Sequence, residues 1–355
     1  MFDARPQLGL LLRRHTVMAA LAVSSFVGCA GAGQRLAPIA ATSSVEQVPQ
    51  ITSPNTAKNL YVANSGANNV QVYQPGTSSP LRTISQGVST PVALAFDSSE
   101  NLYVSNQTGD TVTLYAPGGT SVLLTISAGI AGPGALAFDP KSGRLYVANQ
   151  GYETVTVYAA GKNKLLQTIS KGIDGVDALA FDGAGHCYAA NFSSNTVTVY
   201  KSGSTKLLRT ISQGISGPVA LAFDPSGNLY VANWPLSGTT SVTVYAPGKS
   251  KVLRTISEGV FAPSALAFDG TGNLYVSNNN YTGTVTVYAP NGTHVLRTIS
   301  QGVKNPDALA FGSNGYLNVA NVGNNSITEY ASGGTKVKRT ITNGINLPAA
   351  LAFGP

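Results

Sequence analysis

Cysteine, histidine, tryptophan and charge are all scarce in this chain. Two cysteines in 355 residues, Cys29 and Cys187, leave no disulfide framework to hold a fold together. Three histidines (His15, His186 and His294) form no metal-ligand pattern, and no Ser-His-Asp spacing or glycine-rich phosphate loop stands out. No metal ion or other cofactor is therefore expected. Charged residues make up only 10% of the chain, and its formal charge of +7 is thinly spread. That excludes the dense positive stripe of a nucleic-acid binder. Heptads, an acidic tail and any long helical period are also missing. The one long apolar run, Val17 to Val27, is too short to span a bilayer comfortably.

That run follows Arg13-Arg14 and ends in Phe26-Val-Gly-Cys29, which resembles a bacterial lipobox. Residues 1–28 are accordingly expected to be a signal peptide of the lipoprotein type, with Cys29 the lipidated first residue of the mature chain. Phe in place of the usual Leu at the first lipobox position is a departure. Ordinary cleavage after Ala30-Gly-Ala32 is the alternative and would give a secreted protein. The expected location is the bacterial cell envelope, with the membrane touched only through the lipid. Cys187 stands where the other repeats described below carry Leu, so it reads as a small buried hydrophobe. Residues 29–57 are rich in Ala, Ser, Thr and Pro and read as a flexible tether. Removing residues 1–28 takes away three Arg and one Asp, lowering the formal charge from +7 to +5.

What the chain has in abundance is repetition. Versions of Leu-Tyr-Val-Ala-Asn begin at Leu60, Leu102, Leu145, Cys187, Leu229, Leu274 and Leu317. Versions of Ala-Leu-Ala-Phe begin at Ala93, Ala135, Ala178, Ala220, Ala265, Ala308 and Ala350. The period is near 43 residues, and each unit holds four strand signals. In the unit at Ala220 these are Leu221-Ala-Phe, Asn228 to Ala232, Val242 to Tyr245 and Val252 to Ile256. Asp-Pro-Ser-Gly-Asn joins the first two, with Gly free to take positive φ and Asp placed to cap the backbone. Four antiparallel strands per unit predict the blades of an all-β, seven-bladed β-propeller over residues 58–355. The array starts on a second strand (Asn59 to Asn64) and stops after a first strand (Ala350 to Phe353). The C-terminal strand is therefore expected to complete the N-terminal blade and close the ring, leaving no open edge there.

Pro91-Val-Ala-Leu-Ala-Phe-Asp, Gly227-Asn-Leu-Tyr-Val-Ala-Asn and Asn69-Val-Gln-Val-Tyr together resemble the NHL repeat. They are also similar to secreted bacterial seven-bladed propellers of the YncE-like and lactonase-like kinds. The resemblance covers residues 59–355. One departure recurs: Asn64, Asn106, Asn149, Asn191, Asn233, Asn278 and Asn321 stand where the NHL pattern often has Asp. The WD40 signature is absent. The resemblance implies that ligands bind on the face carrying the second-to-third and fourth-to-first connections.

On that face each of the seven Asn is expected to hydrogen-bond nearby backbone and hold its turn. The alternative is a ring of amides around a polar ligand or ion. A second ring, just before each axial strand, carries Val92, Gly134, Asp177, Val219, Ser264, Asp307 and Ala349. Asp177 and Asp307 are the nearest approach to a catalytic pair, and they are expected to be solvated acids on well-separated blades. Loops after the Asn positions differ most, and Tyr152, Phe192, Trp234 and Tyr281 are expected to gather there as exposed aromatics beside Asn and Asp. Arg82, Arg209, Arg254, Arg297 and Arg339 recur in the outermost strand, where exposed charge would protect a sheet edge.

These readings favour a monomeric, non-enzymatic binding scaffold for a protein, peptide or glycan, with the named aromatics and the two Asp as ligand-binding residues. No catalytic residue is assigned. A lactonase-like hydrolase or lyase working through a metal or acids at the channel mouth is the alternative.

Overall fold

The structure, a computed structural model, describes residues 58–280 and 282–355. The signal peptide, the tether, the lipidation site Cys29 and the candidate Tyr281 lie outside the described residues. Strands β1 to β28 in chain order form seven separate sheets of four antiparallel strands each. Blade one is closed by β28 (Pro348–Gly354), which pairs with β1 (Asn59–Asn64) ahead of the strands that follow it. Blade two begins at β4 (Pro91–Phe96) and blade seven ends at β27 (Val337–Ile341). The propeller and its closure are thus as the repeat phase predicts.

Blade five shows why the sequence builds this unit. Its strands are β16 (Pro218–Phe223), β17 (Leu229–Asn233), β18 (Ser241–Tyr245) and β19 (Val252–Ile256). The first starts three residues earlier than the hydrophobic pattern indicates. Apart from Phe223 at the end of the first, every residue of the first two strands is buried, because neighbouring sheets cover both faces. In the turn between them Asp224 Oδ1 accepts from the backbone N–H groups of Ser226 and Asn228 at 2.9 and 2.8 Å, and Gly227 takes φ +79°. The fourth strand alternates half-buried and exposed, as an edge must.

Two further contacts bind the units. The third-strand tyrosine of every blade donates its hydroxyl to a backbone carbonyl of the preceding connection, at 2.6 Å for Tyr115, Tyr200 and Tyr245. Left-handed residues of the second-to-third turns (Asn68, Asp110, Asn195 and Asn325) each accept the N–H that leads into the next blade.

The arginines correct one expectation. Arg82, Arg209, Arg254 and Arg297 do not project as free edge charges. Each guanidinium lies 5.5–5.6 Å over a second-strand tyrosine ring and donates to that tyrosine's hydroxyl. The outward positions of the same strands belong instead to Leu and Thr, such as Leu208 and Thr210.

Candidate functional site

Each first strand carries a bulge one residue from its start; in blade five Pro218 faces Asn233 and Ala220 faces Ala232, so Val219 is skipped. The skipped residue is the second ring of the sequence pattern, and its side chain turns into the protein. Asp177 and Asp307 occupy it on blades four and seven, and both are only 1% exposed. The expectation of solvated acids is therefore corrected. Each carboxylate is met by a carboxamide of the preceding blade, on the residue that follows the ring Asn. Gln150 Nε2 donates to Asp177 Oδ1 at 2.9 Å, and Asn279 Nδ2 donates to Asp307 Oδ1. Burial pushes the Asp307 carboxyl well above the usual carboxylate range. Three blades apart, the two acids do not form one site.

The seven Asn are buried, and the expectation that they hold turns is met. Asn233 Oδ1 accepts the Ser216 N–H at 3.1 Å, while its Nδ2 donates to Thr243 Oγ1 at 3.1 Å and Val231 O at 3.3 Å. The same acceptance, from a backbone N–H seventeen or so residues earlier in the ring, recurs at the other six. With their amides so used, they present no ring of free groups to a ligand.

Of the four aromatic candidates, the structure describes three, on consecutive blades but unequally exposed. Tyr152 on blade three is 63% exposed, Phe192 on blade four is buried, and Trp234 on blade five is half-buried against the core. Trp234 nonetheless walls a cleft of about 720 Å³ between blades five and six, with Pro235, Leu236, Thr240, Phe261 and Asn279 among its lining. The lengthened loop is pressed close to its neighbour: a Cβ on Gly217 would come within 2.8 Å of Pro235 Cα. Phe261 and Leu236 stand 63% and 61% exposed at the cleft. Phe261 escaped the sequence reading because it lies in a fourth-to-first connection. Its signal was there: the other repeats have Ser89, Ala131, Asp174, Ser216, Lys304 and Asn346 at that position. The Phe261 N–H donates to Asn278 Oδ1 at 2.9 Å, so the ring Asn sets the loop that displays the ring.

None of the twelve residues lining the cleft is charged. Asn279 is already committed, its amide donating to Asp307 and accepting from Asn305 Nδ2, and Thr240 Oγ1 donates to Val260 O. The cleft thus offers large apolar side chains together with the hydroxyls of Ser237, Thr239 and Ser257, and no charge. Among the described residues no group of three or more His, Cys, Asp or Glu could hold a metal ion.

Fold and cleft together define a seven-bladed propeller with an uncharged cleft on its looped face. No protein-family model matches the chain, and no curated protein sequence does either. Solved structures do match. A functionally unknown protein from Desulfotomaculum acetoxidans is 18% identical, covering 84% of this chain and 99% of that one, with a TM-score of 0.71. A protein from Lactobacillus plantarum gives the same identity, share of this chain and score, over its whole length. A Bacteroides uniformis protein provisionally named a 6-phosphogluconolactonase is 19% identical, over 84% of this chain and all of that one, with a TM-score of 0.68. At such identities the likeness is one of fold.

Proposed function

We propose that the protein is a non-catalytic binding propeller that takes an uncharged polypeptide segment, anchored by an apolar side chain, into the Trp234–Phe261 cleft. The observation that carries this reading is the pair Phe261 and Leu236, large apolar side chains left exposed on the rim of a cleft without charge. A glycan would have to be held by the Ser237, Thr239 and Ser257 hydroxyls, with no charged side chain to help. The residue-level likeness to NHL and YncE-like propellers belongs to the same proposal. So do export through residues 1–28 and anchorage at Cys29 in the bacterial envelope, supported by the Phe26-Val-Gly-Cys29 run.

Panning a displayed peptide library on the purified protein tests the cleft. Selected peptides should carry an apolar anchor and lose roughly 30-fold in affinity on Phe261→Ala, the loss of one interface hot spot. Tyr152→Ala, on blade three and two blades from Trp234, should leave their affinity unchanged. Equal binding to the parent protein and to Phe261→Ala would refute the assignment. Binding confined to polysaccharide fragments would favour a glycan instead, and turnover of lactones would favour the hydrolase reading prompted by the Bacteroides uniformis neighbour.

A further inference from the structure

Six of the seven blade junctions share one aromatic contact. A second-strand tyrosine (Tyr61, Tyr103, Tyr146, Tyr188, Tyr230 or Tyr275) meets the first-strand Phe of the next blade edge-on, with centroids 4.9–5.1 Å apart. Across the sheet, each of these tyrosines faces a third-strand Val or Leu. In five of those blades the preceding turn begins with an aspartate.

Blade seven changes all three positions together. The turn begins with Gly312, the tyrosine is replaced by Asn318, and the facing residue is Glu329. The junction between the last and first blades therefore sets no tyrosine against Phe353. Its carboxylate has moved from the turn to the third strand, where Arg339 finds it: Arg339 Nη2 donates to Glu329 Oε2 at 2.6 Å in a largely buried ion pair. Arg339 Nη1 donates across the seam to Thr77 O of blade one.

The exchange leaves one buried oxygen unsatisfied within the protein. Asn318 is 2% exposed, its Oδ1 is buried and accepts no hydrogen bond, and its Nδ2 reaches only Tyr316 O at 3.4 Å. Arg339 Nε is also buried without an acceptor, but so are the Nε atoms of Arg82, Arg209, Arg254 and Arg297 beside their tyrosines, so the orphan particular to this seam is the Asn318 oxygen. Buried polar groups are satisfied in the great majority of cases, by ordered water where protein does not serve. Asn318 and Arg339 line a pocket of about 20 Å³ with Glu329, Gly312, Leu60 and Phe353. Gly312 keeps this space: a Cβ there would lie 2.8 Å from Asn314 Oδ1 and 3.3 Å from the Phe353 ring.

We propose that this seam is a binding site for one buried water molecule, which stands where the other six junctions hold a tyrosine. Size and charge select it. A buried water needs roughly 10–15 Å³ of such space, so one fits and a phenol ring does not. Glu329 is neutralised by Arg339, so nothing in the pocket holds a cation in the presence of the guanidinium. A water there donates to Asn318 Oδ1 and has Glu329 and Arg339, which line the same pocket, as its other polar neighbours.

A high-resolution crystal structure of the purified protein tests the site without any substitution. One density peak within hydrogen-bond distance of Asn318 Oδ1, unchanged between sodium and potassium salts, is expected. Absence of a peak, or one with metal-length contacts that follows the salt, would overturn the proposal. Thermal unfolding gives an independent reading. Asn318→Leu should lower the melting temperature if water satisfies the amide, and raise it if the oxygen is an orphan. The pair N318Y and E329V, which restores the six-fold motif, should melt at or above the parent protein and show no water peak. A rise on Asn318→Leu would also overturn the proposal.

Discussion

Replacing Asn191 measures how much the buried amide ring contributes to the fold. Asn191 Oδ1 accepts the Asp174 N–H at 3.3 Å; its Nδ2 donates to Ala189 O at 3.2 Å, Thr196 Oγ1 at 3.3 Å and Thr198 Oγ1 at 3.0 Å. Asn191→Ala removes all four. The threonine hydroxyls can turn to other partners, as Thr196 already meets Ser194 Oγ, but the two backbone groups cannot. An orphaned backbone donor costs about 1–3 kcal/mol and each lost bond about 1, which puts the net loss near 3 kcal/mol. For a domain of about 300 residues that lowers the melting temperature by about 5 °C. Asn191→Asp keeps the shape and the acceptor but sets a carboxylate against Ala189 O. Burial would raise that carboxyl above its unfolded value, so its stability is present at low pH and lost as pH rises through the folded value. Urea unfolding of the three proteins near pH 5 and pH 8 is the assay. Asn191→Ala should be weaker at both, and Asn191→Asp should approach the parent only in acid. If Asn191→Ala unfolds within about 0.5 kcal/mol of the parent, the amides do not hold the turns, and the ring is open to a ligand after all.

Asp307 offers a second pH test. Because burial raises its carboxyl, the parent protein should lose stability as pH rises from the unfolded toward the folded value, and Asp307→Asn should remove that loss. The two should unfold at similar urea concentrations in acid and diverge in favour of Asp307→Asn above it; an unchanged gap across pH would contradict the assignment. Cys187 is fully buried and its thiol is pushed far up by desolvation, so a thiol reagent should leave it unmodified in the native protein and label it once urea unfolds the chain. Rapid labelling in the absence of urea would mean that blade four opens locally.

Blade number, strand count and ring closure were legible because they follow from sequence period and phase. The fate of the side chains at the ring was not. Asp177 and Asp307 look like surface acids because the carboxamides that receive them, Gln150 and Asn279, sit on the preceding blade some 27 or 28 residues earlier. The bulge that turns them inward has no residue signature of its own. In the fourth strand, alternation shows that Leu and Arg point to opposite sides but not which side is inner. The tyrosine ring beneath Arg209, not charge, decides it. Phe192 and Trp234 occupy the same loop position on adjacent blades, yet one is buried and the other walls a cleft, because only the second loop is lengthened.

Ring closure also fixes how the domain bears load. Asn59 lies opposite Gly354, so the two ends of the described chain leave side by side, on the face away from the Trp234–Phe261 cleft. Tension between a leash at residue 58 and anything held after residue 354 would meet the β1–β28 bonds from one end, peeling them in sequence rather than shearing them together. A pull at residue 58 resisted from the opposite face would instead load the β1–β28 and β1–β2 bonds together, in shear along the strand.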